Sequence, residues 1–456
     1  MRMHTVVLAA GQGTRMRSSL PKVLHRLGGK ALLAHVLDTA AALQPEAVHV
    51  VYGHGGETLR AELDGAGVDW VVQAEQLGTG HAVAQAMGEI PDDAVVLVLY
   101  GDVPLVRAST LAALTRAAGD GALALLTTQV DEPAGYGRVV RDGHGRPRAI
   151  VEDKDASAAQ RRIREINTGL LACPAQRLRR WVGQLDNDNA QGEYYLTDVL
   201  AMAVAEGVAV QAVAVDDGDE VMGVNDRAQL AGAERVYQRR RAQALMRDGL
   251  SLADPARLEV RGELSAGQDC AVDVGCVFEG RVELGDRVRI GPYCVLRDCT
   301  LGADTVIEPH SVLDGAEIGP GCRIGPFARL RPGTRLAARA RIGNFVETKQ
   351  AGIGAASKVN HLSYIGDAEL GARVNVGAGV ITCNYDGADK HRTVIEDGAF
   401  IGTDSQLVAP VRIGKQAFIA AGSTITRDAP AQQLTVCRAR EQRSIADWQP
   451  PGKKGR

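Results

Sequence analysis

The segment Val7-Leu8-Ala9-Ala10-Gly11-Gln12-Gly13-Thr14-Arg15-Met16 sets two glycines and an arginine at the end of an apolar run, with Pro21-Lys22 shortly after. Glycines there let the backbone turn sharply and bring N–H groups up to a phosphate. Arg15 and Lys22 add fixed positive charge where a triphosphate would lie. Two rival phosphate motifs are excluded. A Walker loop needs Gly-Lys followed by Ser or Thr, which this chain lacks. A dinucleotide fingerprint needs Gly or Ala three residues after Gly13, where Met16 stands. The stretch Gln73-Ala74-Glu75-Gln76-Leu77-Gly78-Thr79-Gly80 offers amide groups and close-approach glycines, the materials of a base-reading loop. Tyr100-Gly101-Asp102 follows the most apolar run, Val95–Leu99. A carboxylate there is a candidate Mg²⁺ ligand, because Mg²⁺ uses one or two protein oxygens with phosphates and water. A helix-capping aspartate is the equally good structural reading.

A second set lies in the C-terminal half, inside a repeat. Aliphatic residues recur every six positions, as in Ile318, Ile324, Leu330, Leu336, Ile342 and in Ile401, Leu407, Ile413, Ile419, Ile425. Shorter runs are Leu284, Ile290, Leu296; Leu301, Ile307, Leu313; and Ile353, Val359, Ile365. Neither a helix nor a flat strand has that period. It is one side of a triangular coil, the hexapeptide repeat of a parallel β-helix. Between Val380 and Phe400 the repeat is interrupted by the polar, basic stretch Thr382–Arg392. An insertion in a solenoid becomes a loop on one face, often the binding face. Nearby, Arg331, Lys349, His361, Tyr364 and Asn375 cannot enter the aliphatic interior, so they are expected to face out into one groove. A lone outward Lys or His is ordinarily a solvated surface residue. The inserted loop beside them makes a site the better reading.

These elements need a scaffold. Apolar runs at Thr5–Ala10, Ala47–Tyr52, Asp69–Gln73, Ala94–Tyr100, Ala122–Thr128 and Val208–Val215 alternate with helical stretches such as Leu32–Leu43 and Ser109–Ala118. That alternation predicts a parallel, doubly wound sheet with ligands at the carboxyl ends of its strands. Asp226–Asp248 reads as one long helix. The chain of 456 residues is too long for one core. Its formal net charge of −3 argues against a nucleic-acid footprint. No apolar run approaches the ~20 residues that span a bilayer, and the apolar start Thr5–Ala10 is too short for a signal peptide; a cytoplasmic protein is expected. The eight cysteines form no C-x-x-C pair. They are expected to be small buried residues in a reducing compartment, with Cys270 and Cys276 filling the repeat's own phase. The polar tail beyond Cys437 is expected to fray, with Trp448 as a possible docking residue.

Leu8–Met16 with Pro21-Lys22 resembles the signature of sugar-1-phosphate nucleotidyltransferases. Gln73–Gly80, Tyr100–Asp102, Gly135–Arg138, Val151-Glu152, Ile166–Gly169 and Glu193–Asp198 narrow it, and the hexapeptide half completes it. Over residues 4–440 the chain resembles the bacterial bifunctional N-acetylglucosamine-1-phosphate uridyltransferase and glucosamine-1-phosphate N-acetyltransferase family. The resemblance implies an α/β doubly wound nucleotidyltransferase domain over 1–227, a linker helix over 228–249, and a left-handed parallel β-helix with a tail over 250–456. It implies that Leu8, Ala10, Gly11, Gln73, Gly78 and Thr79 hold the uracil and ribose of UTP. Arg15 and Lys22 would act on the triphosphate. Tyr100, Gly137, Glu152, Asn167 and Thr197 would line the N-acetylglucosamine-1-phosphate pocket, and Asp102 and Asn225 would bind Mg²⁺. In the second site, His361 would be the general base, a role suited to an imidazole's ordinary pKa near 6.5. Arg331, Lys349, Tyr364, Asn375 and Lys390 would bind the sugar phosphate. Ala378, Asn384, Tyr385, Thr403, Ala421 and Arg438 would bind acetyl-CoA; position 403 is Thr where the family pattern leads one to expect Ser. A homotrimer and a supply of UDP-N-acetylglucosamine to cell-wall precursors are implied as well.

Two other readings share these residues. One is a nucleotidyltransferase for another sugar with a purely regulatory β-helix, against which the Gln73–Gly80 loop and the Asn384-Tyr385-Asp386-Gly387 insertion stand. The other is a non-catalytic scaffold, which loss of Arg15, Lys22 or Asp102 would favour; all three are present.

Overall fold

The computed structural model describes residues 2–11, 13–53 and 55–438, so Gln12 and the tail with Trp448 lie outside the described residues. The contacts divide the chain into two compact units, 1–237 and 238–456. The dividing point falls within the helix Arg227–Arg247 rather than at either of its ends.

In the first unit, strands lie in the order Val210–Val215, Leu123–Gln129, Glu165–Pro174, Val95–Tyr100, Met3–Leu8, Ala47–Tyr52, Asp69–Val72. Alternate residues of one strand serve opposite faces. Val7, Leu97 and Leu99 pack into one apolar cluster, and Val6, Leu8, Val96 and Val98 into the other. Burial on both faces explains why these strands read as continuous apolar runs. The sheet is not wholly parallel, as the alternation had predicted. Glu165–Pro174 runs antiparallel to both neighbours and carries a register shift between Asn167 and Leu171. A hairpin, Arg138–Arg141 with Pro147–Val151, attaches to it through Ile166 and Arg138.

In the first halves of the strands Met3–Leu8 and Ala47–Tyr52, His4 and His49 are buried with Nδ1 of one 3.0 Å from Nε2 of the other. Glu46 lies 3.9 Å beyond His4 and Asp69 lies 3.5 Å beyond His49. Burial holds His49 below the usual histidine range, with Asp69 opposing and His4 adding to the depression. Burial does the same to His25 and His35. A depressed folded-state pKa means that the unfolded chain takes up protons first as pH falls through about 6.5. Stability is therefore expected to drop between about pH 8 and pH 5.5. The melting temperature should follow, and His49→Asn should make its slope shallower; an unchanged slope would remove His49 from this account.

The second unit is a stack of coils. Ladder partners give the length of a circuit: Arg323 pairs with Arg341, Arg341 with Lys358, and Lys358 with Asn375, so a turn takes 18 or 17 residues. The 17-residue turns explain why the hexads shift phase. A corner loses one residue between Leu296 and Leu301 and again between Leu313 and Ile318, and all four remain buried. One face is an 11-stranded parallel ladder; long strands that continue around a corner join the other two faces into a 14-stranded sheet. Each fully buried Leu or Ile contributes roughly 1.5–3 kcal/mol. Corner positions carry hydroxyls or thiols that donate to a carbonyl of the next coil. Cys276 donates to Gly291 O at 3.2 Å, Cys322 to Ala337 O at 3.2 Å, and Ser357 to Gly371 O at 2.7 Å. Those cysteines are packing residues, and burial pushes the Cys294 thiol up to about 12. Gln238 closes the first coil: its amide nitrogen donates to Val260 O and its oxygen accepts from Val260 N, each at 2.9 Å.

Phe278 is buried in the interior of an early coil, but a row of rings lies outside. Tyr293, His310, Phe327 and Phe345 stack in successive coils with centroids 4.9–5.4 Å apart. All four sit at one corner with positive φ, as does exposed Leu362 in the next coil.

Candidate functional sites

The first site is built where strands Met3–Leu8 and Val95–Tyr100 end side by side. Gly13 has φ of +60°, and a Cβ there would stand 2.6 Å from Cβ of Lys22. Only glycine lets the loop close over Lys22, which fixes the base of that side chain. Asp102 and Asn225 arrive from different loops and are joined by a backbone bond, Val224 N to Asp102 O at 2.8 Å. Asn225 is further set by the start of the helix Arg227–Arg247. Asp226 accepts from Gln229 N, and Gln229 Oε1 accepts from Asn225 N at 2.7 Å, a variant of the capping box. Asp102 caps no helix; the next one starts at Ala108.

These residues line a cavity of about 420 Å³ that also takes in Leu8, Ala10, Gly11, Gln73, Gly78, Thr79 and Tyr100. Lys22 Nζ donates to the Asp102 carboxylate and, at 3.0 Å, to Asn225 Oδ1. The two oxygens thus converge on one cation-sized point, and both are hard donors of the kind Mg²⁺ uses. Among the described residues no three His, Cys, Asp or Glu form a metal-holding group. An ion here would therefore rely on these two oxygens, with phosphates and water completing its shell.

The base-side loop is pinned from outside. Tyr194 N donates to Leu77 O and Gly80 N to Tyr194 O, each at 2.8 Å, and Leu196 N donates to Thr79 Oγ1 at 3.2 Å. Gln73 Nε2 donates to Gly78 O at 3.1 Å. Gln76 Nε2 donates to Ala10 O at 2.7 Å, tying this loop to the glycine turn. Gln76 and Glu193 lie within the sequence motifs, which by themselves give neither a role; both line the same cavity.

Tyr100 also borders a neighbouring depression with Asn167 and Thr197. Thr197 Oγ1 donates to Glu152 Oε1 at 3.1 Å, and a Cβ on Gly137 would lie 3.3 Å from that oxygen. Burial pushes the Glu152 carboxyl up, partly countered by the Thr197 bond. Five predicted sugar-side residues are therefore neighbours. Arg15 is not brought in: it is exposed on the turn Thr14–Met16, outside the cavity lining.

In the solenoid, the step from Asn375 to its ladder partner Phe400 takes 25 residues instead of 17 or 18. The surplus is the inserted loop. It is held by its own bonds: Asp386 accepts from Ala388 N, Asp389 N and His391 Nε2, and Tyr385 Oη donates to Gly387 O at 2.6 Å. These bonds, His391 foremost, hold the Asp386 carboxyl well below its usual range. The loop delivers Lys390 to Lys349. The Lys390 ammonium, with Arg331 adding to it, holds Lys349 below the usual lysine range. Like charges gathered in this way suit a phosphate. Carboxylates frame them: Arg331 donates to Glu347 at 2.9 Å, and Asn384 donates to Asp367.

His361 ends the strand Lys358–His361 on the 11-stranded ladder, and Leu362, at φ +47°, turns the chain before Tyr364–Leu370 on the next face. The outward residues thus divide between two faces of one chain rather than sharing one groove. His361 and Asn375 lie on one side of the corner, and Lys349, Tyr364 and Lys390 on the other. His361 Nδ1 lies 3.1 Å from Asn344 Oδ1. An amide oxygen only accepts, so this bond puts the proton on Nδ1 and leaves the Nε2 lone pair for a substrate. Asn344 was missed by sequence reasoning; its signal was the ladder pairing Asn344↔His361. Continued through the next coils, that row holds Ala378, Thr403 and Ala421. Arg438 Nε donates to Ala421 O at 2.5 Å.

Residues 5–187 match the MobA-like NTP transferase domain, and residues 392–427 match the bacterial transferase hexapeptide (six repeats). The chain is 65% identical over 452 residues to the bifunctional protein GlmU of Alkalilimnicola ehrlichii, covering 99% of this chain and 97% of that one. It is 59% identical over 452 residues to that of an Azoarcus species, covering 99% and 100%. With the protein of the same name from Marinobacter nauticus it shares 58% identity over 451 residues, covering 99% of each. Matched to these relatives along nearly its whole length, the chain belongs to the family of bifunctional GlmU proteins.

Proposed function

We propose that this chain makes UDP-N-acetylglucosamine by two transfers. The solenoid moves an acetyl group from acetyl-CoA to the amine of glucosamine-1-phosphate. The first unit then joins the resulting N-acetylglucosamine-1-phosphate to UTP and releases pyrophosphate. The supporting observation is that one chain carries both a cavity ending in Lys22, Asp102 and Asn225 and a solenoid whose inserted loop sets Lys390 against Lys349.

In uridyl transfer a phosphate oxygen of the sugar attacks the α-phosphorus of UTP, and the bond to pyrophosphate breaks. Positioning and charge neutralisation dominate such a step. Leu8, Ala10, Gly11, Gln73, Gly78 and Thr79 hold the nucleoside. Tyr100, Gly137, Glu152, Asn167 and Thr197 hold the sugar, and Lys22 faces the phosphates. Asp102 and Asn225 would hold Mg²⁺, which supplies further neutralisation at the phosphates.

In acetyl transfer, Nε2 of His361 takes a proton from the sugar's amine. The amine attacks the thioester carbonyl, and the thiol of CoA leaves. Arg331, Lys349, Lys390, Tyr364 and Asn375 hold the sugar phosphate. Ala378, Asn384, Tyr385, Thr403, Ala421 and Arg438 hold the acetyl donor. Because base and cations sit on two sides of the Leu362 corner, a neighbouring copy that brings one face against the other completes the site. The exposed row Tyr293, Phe327, Phe345 and Leu362 runs along that corner and suits burial between copies; the homotrimer is the assembly proposed. Among the described residues no helix is long and apolar enough to cross a membrane, and a cytoplasmic location is proposed.

The test is one incubation with glucosamine-1-phosphate, acetyl-CoA, UTP and Mg²⁺, read by mass. UDP-N-acetylglucosamine is the expected product, and N-acetylglucosamine-1-phosphate should accumulate when UTP is withheld. A chain that uridylates but never acetylates would be the single-activity alternative.

A further inference from the structure

The uridyl-transfer reading gives Asp102 and Asn225 to a divalent ion, yet Lys22 bonds the same two side-chain oxygens. The pair is well shielded, with the Lys22 and Asp102 side chains 12% and 15% exposed. We infer that Lys22 and the divalent ion compete for these oxygens, and that the phosphates of the incoming nucleotide admit the metal by drawing the ammonium away. The inference rests on the metal-site reading above.

The two cations exclude each other. Mg²⁺ needs its oxygens at about 2.0–2.1 Å in near-octahedral array. An ammonium bonded to both oxygens fills that position and repels a second cation beside it. Lysine suits the role because its charge is a compact point on a flexible stem. Gly13 confines only the first carbons of that stem, since a Cβ in its place would meet Cβ and Cγ of Lys22. The far end remains able to swing. A triphosphate offers the ammonium several anionic oxygens in exchange for one carboxylate and one amide. Coupling of this kind is reciprocal. A bound metal favours the phosphate-facing position of Lys22 as much as the phosphates favour the metal, so metal and nucleotide bind best together.

The experiment titrates the full-length protein with Mn²⁺ in the absence of nucleotide and follows free Mn²⁺ by electron paramagnetic resonance. Lys22→Met keeps the stem that Gly13 confines but removes the charge. It should bind Mn²⁺ roughly ten- to a hundredfold more tightly than wild type, the worth of one hydrogen bond to a charged group. Lys22→Arg keeps the charge and should stay near wild type. Asp102→Asn in the Lys22→Met background should abolish the gain. If Lys22→Met, melting like wild type, binds no tighter while Asp102→Asn still weakens binding, the competition is wrong and the metal site survives. If Asp102→Asn changes Mn²⁺ binding in neither background, the metal-site reading itself fails and takes the inference with it.

Discussion

His361→Ala should slow acetyl transfer by about 10²–10⁴-fold, the usual worth of a general base. The geometry makes this a demanding expectation. The Asn344 bond occupies Nδ1 and presents Nε2, so the ring is oriented for one task. Alanine removes the proton acceptor and leaves the rest of the row, Ala378, Thr403 and Ala421, in place. The apparent affinity for acetyl-CoA should therefore change little, and the loss should fall on kcat. Uridyl transfer should be untouched, because its residues lie in the other unit. A variant that acetylates within about threefold of wild type, far short of that range, would make His361 one more solvated residue on a coil.

Asp102→Ala should reduce uridyl transfer by at least about a hundredfold, the scale seen when one preorganised charge-stabilising group is lost. The change removes the carboxylate at the convergence point and leaves the Lys22 ammonium with Asn225 alone. Its signature is a lost response to Mg²⁺ concentration with acetyl transfer unchanged. Equal rates and equal Mg²⁺ dependence in variant and wild type would show that Asp102 holds no metal. A melting curve guards against loss of fold, since breaking a shielded ion pair is destabilising in itself.

Much of this was legible because local pattern and tertiary role agree. All six apolar runs of the front half are strands within two residues of their expected limits. Asp226–Asp248 is the helix Arg227–Arg247. The strand Glu165–Pro174 was not read as one. It contains Gly169 at φ +85° and a register shift, features that weaken a strand's signature while letting the chain pass close to the Tyr100 ring. The antiparallel direction of that strand had no signal in composition at all. In the solenoid, the hexads stop at two inward positions, Thr348 and Thr382. Both are fully buried and satisfied: Thr348 faces Thr334 at 3.0 Å, and Thr382 Oγ1 accepts from Gly366 N at 2.7 Å. A polar residue in an aliphatic row looked like the end of the repeat, whereas it fixes the backbone beside Lys349 and Asp367. The division of the site between two faces was hidden for a different reason. Period six tells which residues point outward but not which side of the triangle each one occupies.

The shared row of His361, Ala378, Thr403 and Ala421 turns the coil into a gauge of length. Successive coils are spaced by roughly 4.8 Å, so Ala421 stands roughly 14 Å from His361 along the stack. A donor that touches both must be extended by about that much, whatever group it carries at its reactive end. Removing one circuit between them would shorten the gauge by a single strand spacing and leave His361 and Ala421 themselves unchanged. A truncated thioester could still reach the base but would have nothing to grip at the far mark. On the proposed donor assignment, the solenoid would select its acyl donor by reach, a property that no single residue of the row possesses.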